Sequence, residues 1–425
     1  MKVHRKQEGK MKKLLVLLSM LLVVISLTAC TKKEEQIVIT WKQNKPEIDA
    51  AIQAYATAYE ARTGVKVVVT SCGGSSCTLG DVLKADYAAG TMPDIFPIDG
   101  PESYNEWKAI LADLTGEDWV AQTDVAYEVD GKTVGFPVAI EGWGMAYNKD
   151  LLVAAGIDPT TLNNYAAYEA AFATLESKKT ELGIDSVVSM AAGPGMYWVT
   201  AHHNFNSLLS NGLPYGDKSV ATALLDGTID DARLSDYAKW VNLLFKYADQ
   251  TVLTTGNYDS QVGAFLNQKA VFLHQGNWVD GNLSAATFDM AFAPHGSSSA
   301  VTDGIFVSAP AWYVVNKDSK HLEAVKDFLS DMVFTADGAD YMVNKAGMIP
   351  AFKNITLQPA GKLSKSVQAW AAAGKIYSWN QYLFTGEFRD STLGPIYDQL
   401  AQKSVTVEEF QTLLHDALAA YATTH

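Results

Sequence analysis

The sequence predicts an α/β protein built as two lobes, and two observations lead there. The chain has 425 residues, beyond the ~250–300 at which a single hydrophobic core usually stops growing. From Ile37 to Asp99, apolar runs of strand and helix period alternate in the order β-α-β-α-β. That order belongs to a doubly wound lobe with a mainly parallel sheet. Ile37–Trp41 reads as the first strand. Pro46–Arg62 follows with Ile48, Ile52, Tyr55 and Tyr59 at helical spacing, and Gly64 sits where a C-cap belongs. Val65–Thr70 is the second strand, Leu79–Ala89 a helix between Thr78 and Gly90, and Asp94–Asp99 the third strand. Ligands of such sheets bind beyond the carboxyl ends of the strands, which points to Trp41 and Asp99.

Further along, Val134–Glu141 and Gly144–Asn148 are extended pieces flanking Gly142-Trp143, and Asn148–Leu152 opens a helical region. Helical periodicity marks Tyr165–Glu181, Val199–Leu209 and Leu234–Ala248. Strands are expected at Ala270–Gln275, Phe288–Pro294, Ile305–Ser308 and Trp312–Asn316, and an amphipathic helix at His321–Val333. No internal repeat or low-complexity tract interrupts this order.

The N-terminus carries a separate message. Lys12 and Lys13 lead into Leu14–Ser26, apolar apart from two serines. The run is short for a membrane span and has the layout of a signal-peptide core. Leu27-Thr28-Ala29-Cys30 then resembles the lipobox of bacterial lipoproteins. The resemblance implies cleavage before Cys30, lipid on its thiol, and a membrane link through that lipid alone. An ordinary secretory signal with a chance cysteine is the alternative. Met11 makes a better start than Met1. Residues 1–29 are read as the signal and 30–36 as a tether.

The chain holds 33 Lys and Arg against 47 Asp and Glu, a net charge of −14. Residues 1–29 contain six of the basic side chains and one acidic one, so the remainder is more acidic still. Such a balance argues against nucleic acid and against electrostatic binding to anionic lipid. With Cys30 assigned, Cys72 and Cys77 remain in Ser71-Cys-Gly-Gly-Ser-Ser-Cys-Thr78. An exported protein can hold them as a disulfide; two free thiols are the alternative, since the geometry of so short a loop is demanding. No second Cys pair or nearby His completes a zinc site. His202-His203 is the only His pair, and neighbours on a helix point about 100° apart, which suits packing better than a metal. No cofactor, metal or catalytic signature is expected, and no enzyme activity: serine-hydrolase, zincin and phosphate-loop motifs are all missing.

What stands out is aromatic and amide chemistry at segment ends. Of the ten Trp, Trp107, Trp240 and Trp370 lie in helical stretches and read as core. Others sit in loops beside Gly, Asn or Gln: Trp41 near Asn44, Trp143, Trp198, Trp278 after Asn277, and Trp379. Each of these is either a buried loop aromatic or a ligand platform. A sugar ring presents an apolar face to an indole and a rim of hydroxyls to Asn, Asp and Glu.

These residues carry a family resemblance. Gly90–Asp99, Gly135–Glu141 with Met145–Leu151, Gly276-Asn-Trp278 with Phe292–Pro294, and Trp312–Phe328 occur in the order seen in solute-binding proteins of carbohydrate ABC importers, the class of maltose-binding protein. The resemblance covers nearly all of the chain after Cys30. It implies a two-lobed fold of the periplasmic-binding type II kind, each lobe a doubly wound mixed sheet flanked by helices, with a hinge between. The lobes are expected at 37–140 plus about 300–347, and at 141–299 plus about 348–425. It also implies a monomer on the outer face of a bacterial membrane that captures a di- or oligosaccharide and delivers it to ABC permease subunits. Ligand contacts are expected from Trp41, Asn44 and Asp99, from Glu141 at the hinge, and from Trp198, Asn277, Trp278 and Trp379. Rival readings are a polyamine, peptide or compatible solute held by an aromatic cage, a glycosidase using Glu141 and Asp99, and a sensory or adhesive lipoprotein.

Overall fold

Alternating burial along Val38–Gln43 sends Ile39, Trp41 and Gln43 to the inner face and Val38 and Thr40 outward, the period of a half-buried strand. The helix that follows, Asp49–Thr63, stops where Gly64 turns left-handed, with φ +76°, and returns its N–H to the Glu60 carbonyl. These details belong to a computed structural model, which describes residues 36–73 and 77–424. The expected signal segment, Cys30 and nearly all of the tether lie outside the described residues. Val38 onward forms one compact unit.

In chain order the strands among the described residues are β1 (Val38–Gln43), β2 (Lys66–Ser71), β3 (Ile95–Ile98), β4 (Tyr127–Val129), β5 (Lys132–Pro137), β6 (Glu141–Trp143), β7 (Met145–Asn148), β8 (Ser186–Ser189), β9 (Ala270–Leu273), β10 (Met290–Ala293), β11 (Ile305–Ser308), β12 (Trp312–Val315) and β13 (Ile376–Tyr377). The first lobe holds a six-stranded sheet in the order β2-β1-β3-β12-β5-β4. β1 lies parallel to β2 and β3, whereas β12 runs antiparallel to β3 and β5. The expected parallel order therefore holds for the first three strands, and the returning strand makes the sheet mixed. The second lobe contains a four-stranded sheet, β10-β7-β9-β8, and a three-stranded one, β13-β11-β6.

Cores follow the sheets. One apolar cluster runs from Ile39 to Ala139 and resumes from Ala311 to Ile355. A larger one fills the helical body of the second lobe, from Met145 to Tyr421, and includes Trp240. Drawn by sheet and core, the returning segment of the first lobe begins after Ser308 and reaches Ile355, rather than spanning about 300–347. β11 moves to the second lobe because it pairs with β6 and β13.

Two of the crossings between the lobes, Val138–Ile140 and Ala309–Ala311, join β5 to β6 and β11 to β12; a third follows Ile355. The Val138 N–H donates to the Ala311 carbonyl at 3.1 Å, and the Ile140 N–H to the Ile349 carbonyl at 2.9 Å. This bonded group of strands is the hinge of a two-lobed α/β fold. The helix expected at Val199–Leu209 contains a π-turn, Trp198–Asn204, and another π-turn lies at Phe388–Leu393, where no helix was expected. Such turns often mark functional sites.

Candidate ligand-binding cleft

The hinge delivers Glu141 into the gap between the lobes, where it is buried and pairs with Lys45, Nζ to Oε1 2.6 Å. Lys45 comes from the loop after β1 and also meets Glu47 at 3.0 Å. Burial works against the lysine charge, but the two carboxylates outweigh it and hold the ammonium well above the ordinary lysine range. Burial pushes the Glu141 carboxyl upward, and Lys45 pulls it back only in part.

Trp278 follows on the short turn after β9. Its Nε1 donates to Gln275 Oε1 at 2.8 Å. Its ring folds back over Gly276 so closely that any Cβ there would overlap it, which explains the glycine two residues before. The Trp278 ring lies 4.9 Å from His203 and 6.5 Å from both Trp198 and Trp379. His203 in turn lies 5.5 Å from Trp198 and 5.8 Å from Trp379. The fold thus gathers three of the sequence-selected tryptophans, 181 residues apart at the extremes, around one imidazole. The indole nitrogens of Trp198 and Trp379 are buried and have no hydrogen-bond partner.

A polar chain closes the gap on another side. Arg389 Nη2 bonds Asp99 Oδ2 at 3.3 Å, across from the first lobe. Arg389 Nη1 donates to His202 Nδ1 at 2.8 Å, and His202 Nε2 meets Asp390 Oδ1 at 2.8 Å. An Nδ1 that accepts from a guanidinium carries no proton, so His202 is the neutral Nε2–H form. Burial first, then Arg389, depresses its pKa. Burial, with His202 and His274 adding to it, drives His203 well below the usual range. Asp99 is further held by Ser103 Oγ at 2.7 Å, and Tyr382 packs on the Gly100 backbone. The two lobes therefore touch. The space left beside Trp278, lined by Lys45, Glu47, Glu141, Asp280 and Met348, is a cavity of about 20 Å³. That holds one water and no sugar ring, so this conformation must open to admit a solute.

Two expected contacts are corrected. Trp41 is wholly inside the first lobe, edge-on to Tyr313 at 4.9 Å and to Phe328 at 5.5 Å, and offers no face to the cleft. Asn277 is buried and committed: its Oδ1 accepts from the Gly142 N–H at 2.8 Å and its Nδ2 donates to Ser364 Oγ at 3.1 Å. It ties β6 to the helix Lys362–Ala372 and shapes the cleft wall. Asn44 is exposed, on the loop that carries Lys45. Trp143 is buried beneath the aromatic group, 4.2 Å from Phe306 and 5.4 Å from His203. Cys72 and Cys77 are bonded, with Cα atoms 5.2 Å apart.

Lys45, Tyr382 and Arg389 escaped the sequence reading, and His202 and His203 were read there as packing. Arg389 had one signal: the chain has only four arginines. Among the described residues no group of three or more His, Cys, Asp or Glu side chains is placed to hold a metal. No described helix is long and apolar enough to cross a membrane.

Residues 54–381 match the family model described as bacterial extracellular solute-binding protein. A maltooligosaccharide ABC transporter solute-binding lipoprotein of Streptococcus pneumoniae (strain ATCC BAA-255 / R6) is 26% identical over 315 residues, 71% of this chain and 69% of the relative. Among solved structures, RafE in complex with raffinose superposes with a TM-score of 0.73 at 16% identity, covering 91% of this chain and all of that one. A sugar transporter from Bacillus licheniformis in complex with stachyose gives 0.73 at 17% identity, with the same coverage. The two-lobed fold, the hinge and a family match over most of its length agree: the chain belongs to the bacterial extracellular solute-binding proteins.

Proposed function

We propose that this protein captures a carbohydrate of two or more rings between its lobes and delivers it to an ABC permease, held at the outer membrane face by lipid on Cys30. The observation that carries the reading is Trp278, which lines one cavity with the Lys45–Glu141 pair and is grouped with Trp198 and Trp379 around His203. Indoles cover the apolar faces of sugar rings, and charged and amide groups bond the hydroxyl rims. The relatives support it: one is named for maltooligosaccharides, and the structural neighbours hold raffinose and stachyose.

Capture works by population shift. A solute that touches both lobes binds the closed form more tightly than the open form and draws the hinge shut. Asp99 and Glu141 each rest against a cation, an arrangement suited to orienting hydroxyls rather than to turnover of a glycoside.

A thermal-shift and calorimetry panel on the chain from Cys30 onward tests the reading. Maltotriose, raffinose, stachyose and chitotriose stand against spermidine, glycine betaine and a tripeptide. Stabilisation by at least one oligosaccharide is expected. A response to spermidine alone would overturn it.

A further inference from the structure

The ammonium of Lys45 must sit within about 3 Å of two carboxylates, yet it hangs from a loop residue with no regular secondary structure to fix it. Gln43, fully buried at the end of β1, supplies the restraint. Its Oε1 accepts the Lys45 N–H at 2.6 Å, and its Nε2 donates back to the Lys45 carbonyl at 3.0 Å. Both backbone polar groups of one residue are thus gripped by one side-chain amide. The same Nε2 also bonds Ser71 Oγ, and Ser71 donates to Asp49 at the start of the next helix.

Ser71 is the last residue of β2, opposite Gln43 in the parallel pair. Cys72 follows it, buried, and its N–H donates to the Gln43 carbonyl at 2.8 Å. Cys72 is then bonded to Cys77, just before the helix Leu79–Ala89. Gly73 lies so close to the Asn44 carbonyl that a Cβ there would overlap it, and such a Cβ would be 3.0 Å from Pro46 Cδ. Gly73, next to the disulfide, therefore packs on the very residues that flank Lys45.

We infer that Gln43, braced by the Cys72–Cys77 disulfide through Ser71, is a positioning residue that sets Lys45 against Glu141 and thereby the affinity for solute. The inference rests on the proposed sugar cleft for its functional half and on local geometry for the rest. Without the brace, Lys45 gains conformational freedom that closure must remove again. The cost appears in binding even where the protein remains fully folded.

Two readouts test it, on the parent chain, Gln43→Met, Gln43→Glu and Cys72→Ser/Cys77→Ser. The first needs no ligand: hydrogen exchange of the Lys45 amide by NMR in the sugar-free protein. Gln43→Met and the double serine variant should exchange at least tenfold faster, while Gln43→Glu, which keeps an acceptor for that N–H, should stay closer to the parent. The second is calorimetry with maltotriose and with raffinose, well below each variant's unfolding temperature. About tenfold weaker binding is expected for Gln43→Met and for the double serine variant, and partial rescue for Gln43→Glu. Unchanged exchange overturns the inference, as does faster exchange with unchanged sugar affinity. Faster exchange in a chain whose parent binds neither sugar supports the positioning role and counts against the carbohydrate reading instead.

Discussion

Arg389 reaches from the second lobe to Asp99 of the first, with Nη2 3.3 Å from Oδ2, and its other arm holds His202. The same guanidinium lies over the Tyr382 ring at 4.9 Å, and Tyr382 is 6.1 Å from Trp379, so one side chain links the touching lobes to the aromatic group. Asp99 is part-exposed, 38% by side chain, so the bond itself contributes little to overall stability. Its effect falls on the balance between closed and open forms.

Asp99→Asn should therefore leave the unfolding temperature almost unchanged and open the sugar-free protein. Small-angle scattering checks this through the radius of gyration, which should rise toward that of an open form. An unchanged radius together with unchanged affinity would remove Arg389 from any part in closure.

Trp278→Ala should weaken oligosaccharide binding at least tenfold, because it takes away a ring face and frees Gln275. Calorimetry measures it directly. Affinity within twofold of the parent would dismiss the assigned platform.

Trp41→Phe is expected to behave in the opposite way. Its indole is enclosed by Tyr313 and Phe328, so the smaller ring costs about 1–2 kcal/mol of stability. Sugar affinity at temperatures where the variant is folded should match the parent. A loss of affinity with no loss of stability would return Trp41 to the cleft.

Stability should fall as the medium is acidified below neutrality. His202, His203, His274 and His295 are all depressed by burial, His274 to about 4. Between pH 6.5 and about 4 the unfolded chain takes up protons that the folded chain refuses. Their contribution is fully present above 6.5 and drains away as pH drops, at up to about 1.4 kcal/mol per pH unit for each such histidine. Glu141 and Asp280, raised by burial, act with the opposite sign and offset part of the loss. Urea unfolding at pH 7.5, 6, 5 and 4.5 should show a declining midpoint; a flat or rising profile would mean that these imidazoles reach solvent.

Local order was legible in the sequence because it depends on local chemistry. The alternation along β1, the left-handed glycines at Gly64 and Gly90, and the Gly-x-Trp turn all announce themselves within a few residues. Trp41 also carried its own correction: it shares the inward face of β1 with Ile39, two residues away, which argued for core. Asn277 was misread since an amide beside a tryptophan looks the same whether it faces a ligand or a backbone N–H. The Arg389–Asp99 bond spans 290 residues, and nothing in either segment signals the other. The π-turns at Trp198–Asn204 and Phe388–Leu393 were invisible for a related reason: their spacing is set by tertiary contacts rather than by helical period.

The bonded crossings at Val138, Ile140, Ala311 and Ile349 make the joint a laminated strip rather than a single flexible thread. A strip bends readily about one line and resists twisting and sliding. The lobes then behave as a jaw, whose bite is narrowest beside the joint and widest at the tips. Glu141, the first residue of β6, sits directly beside that joint.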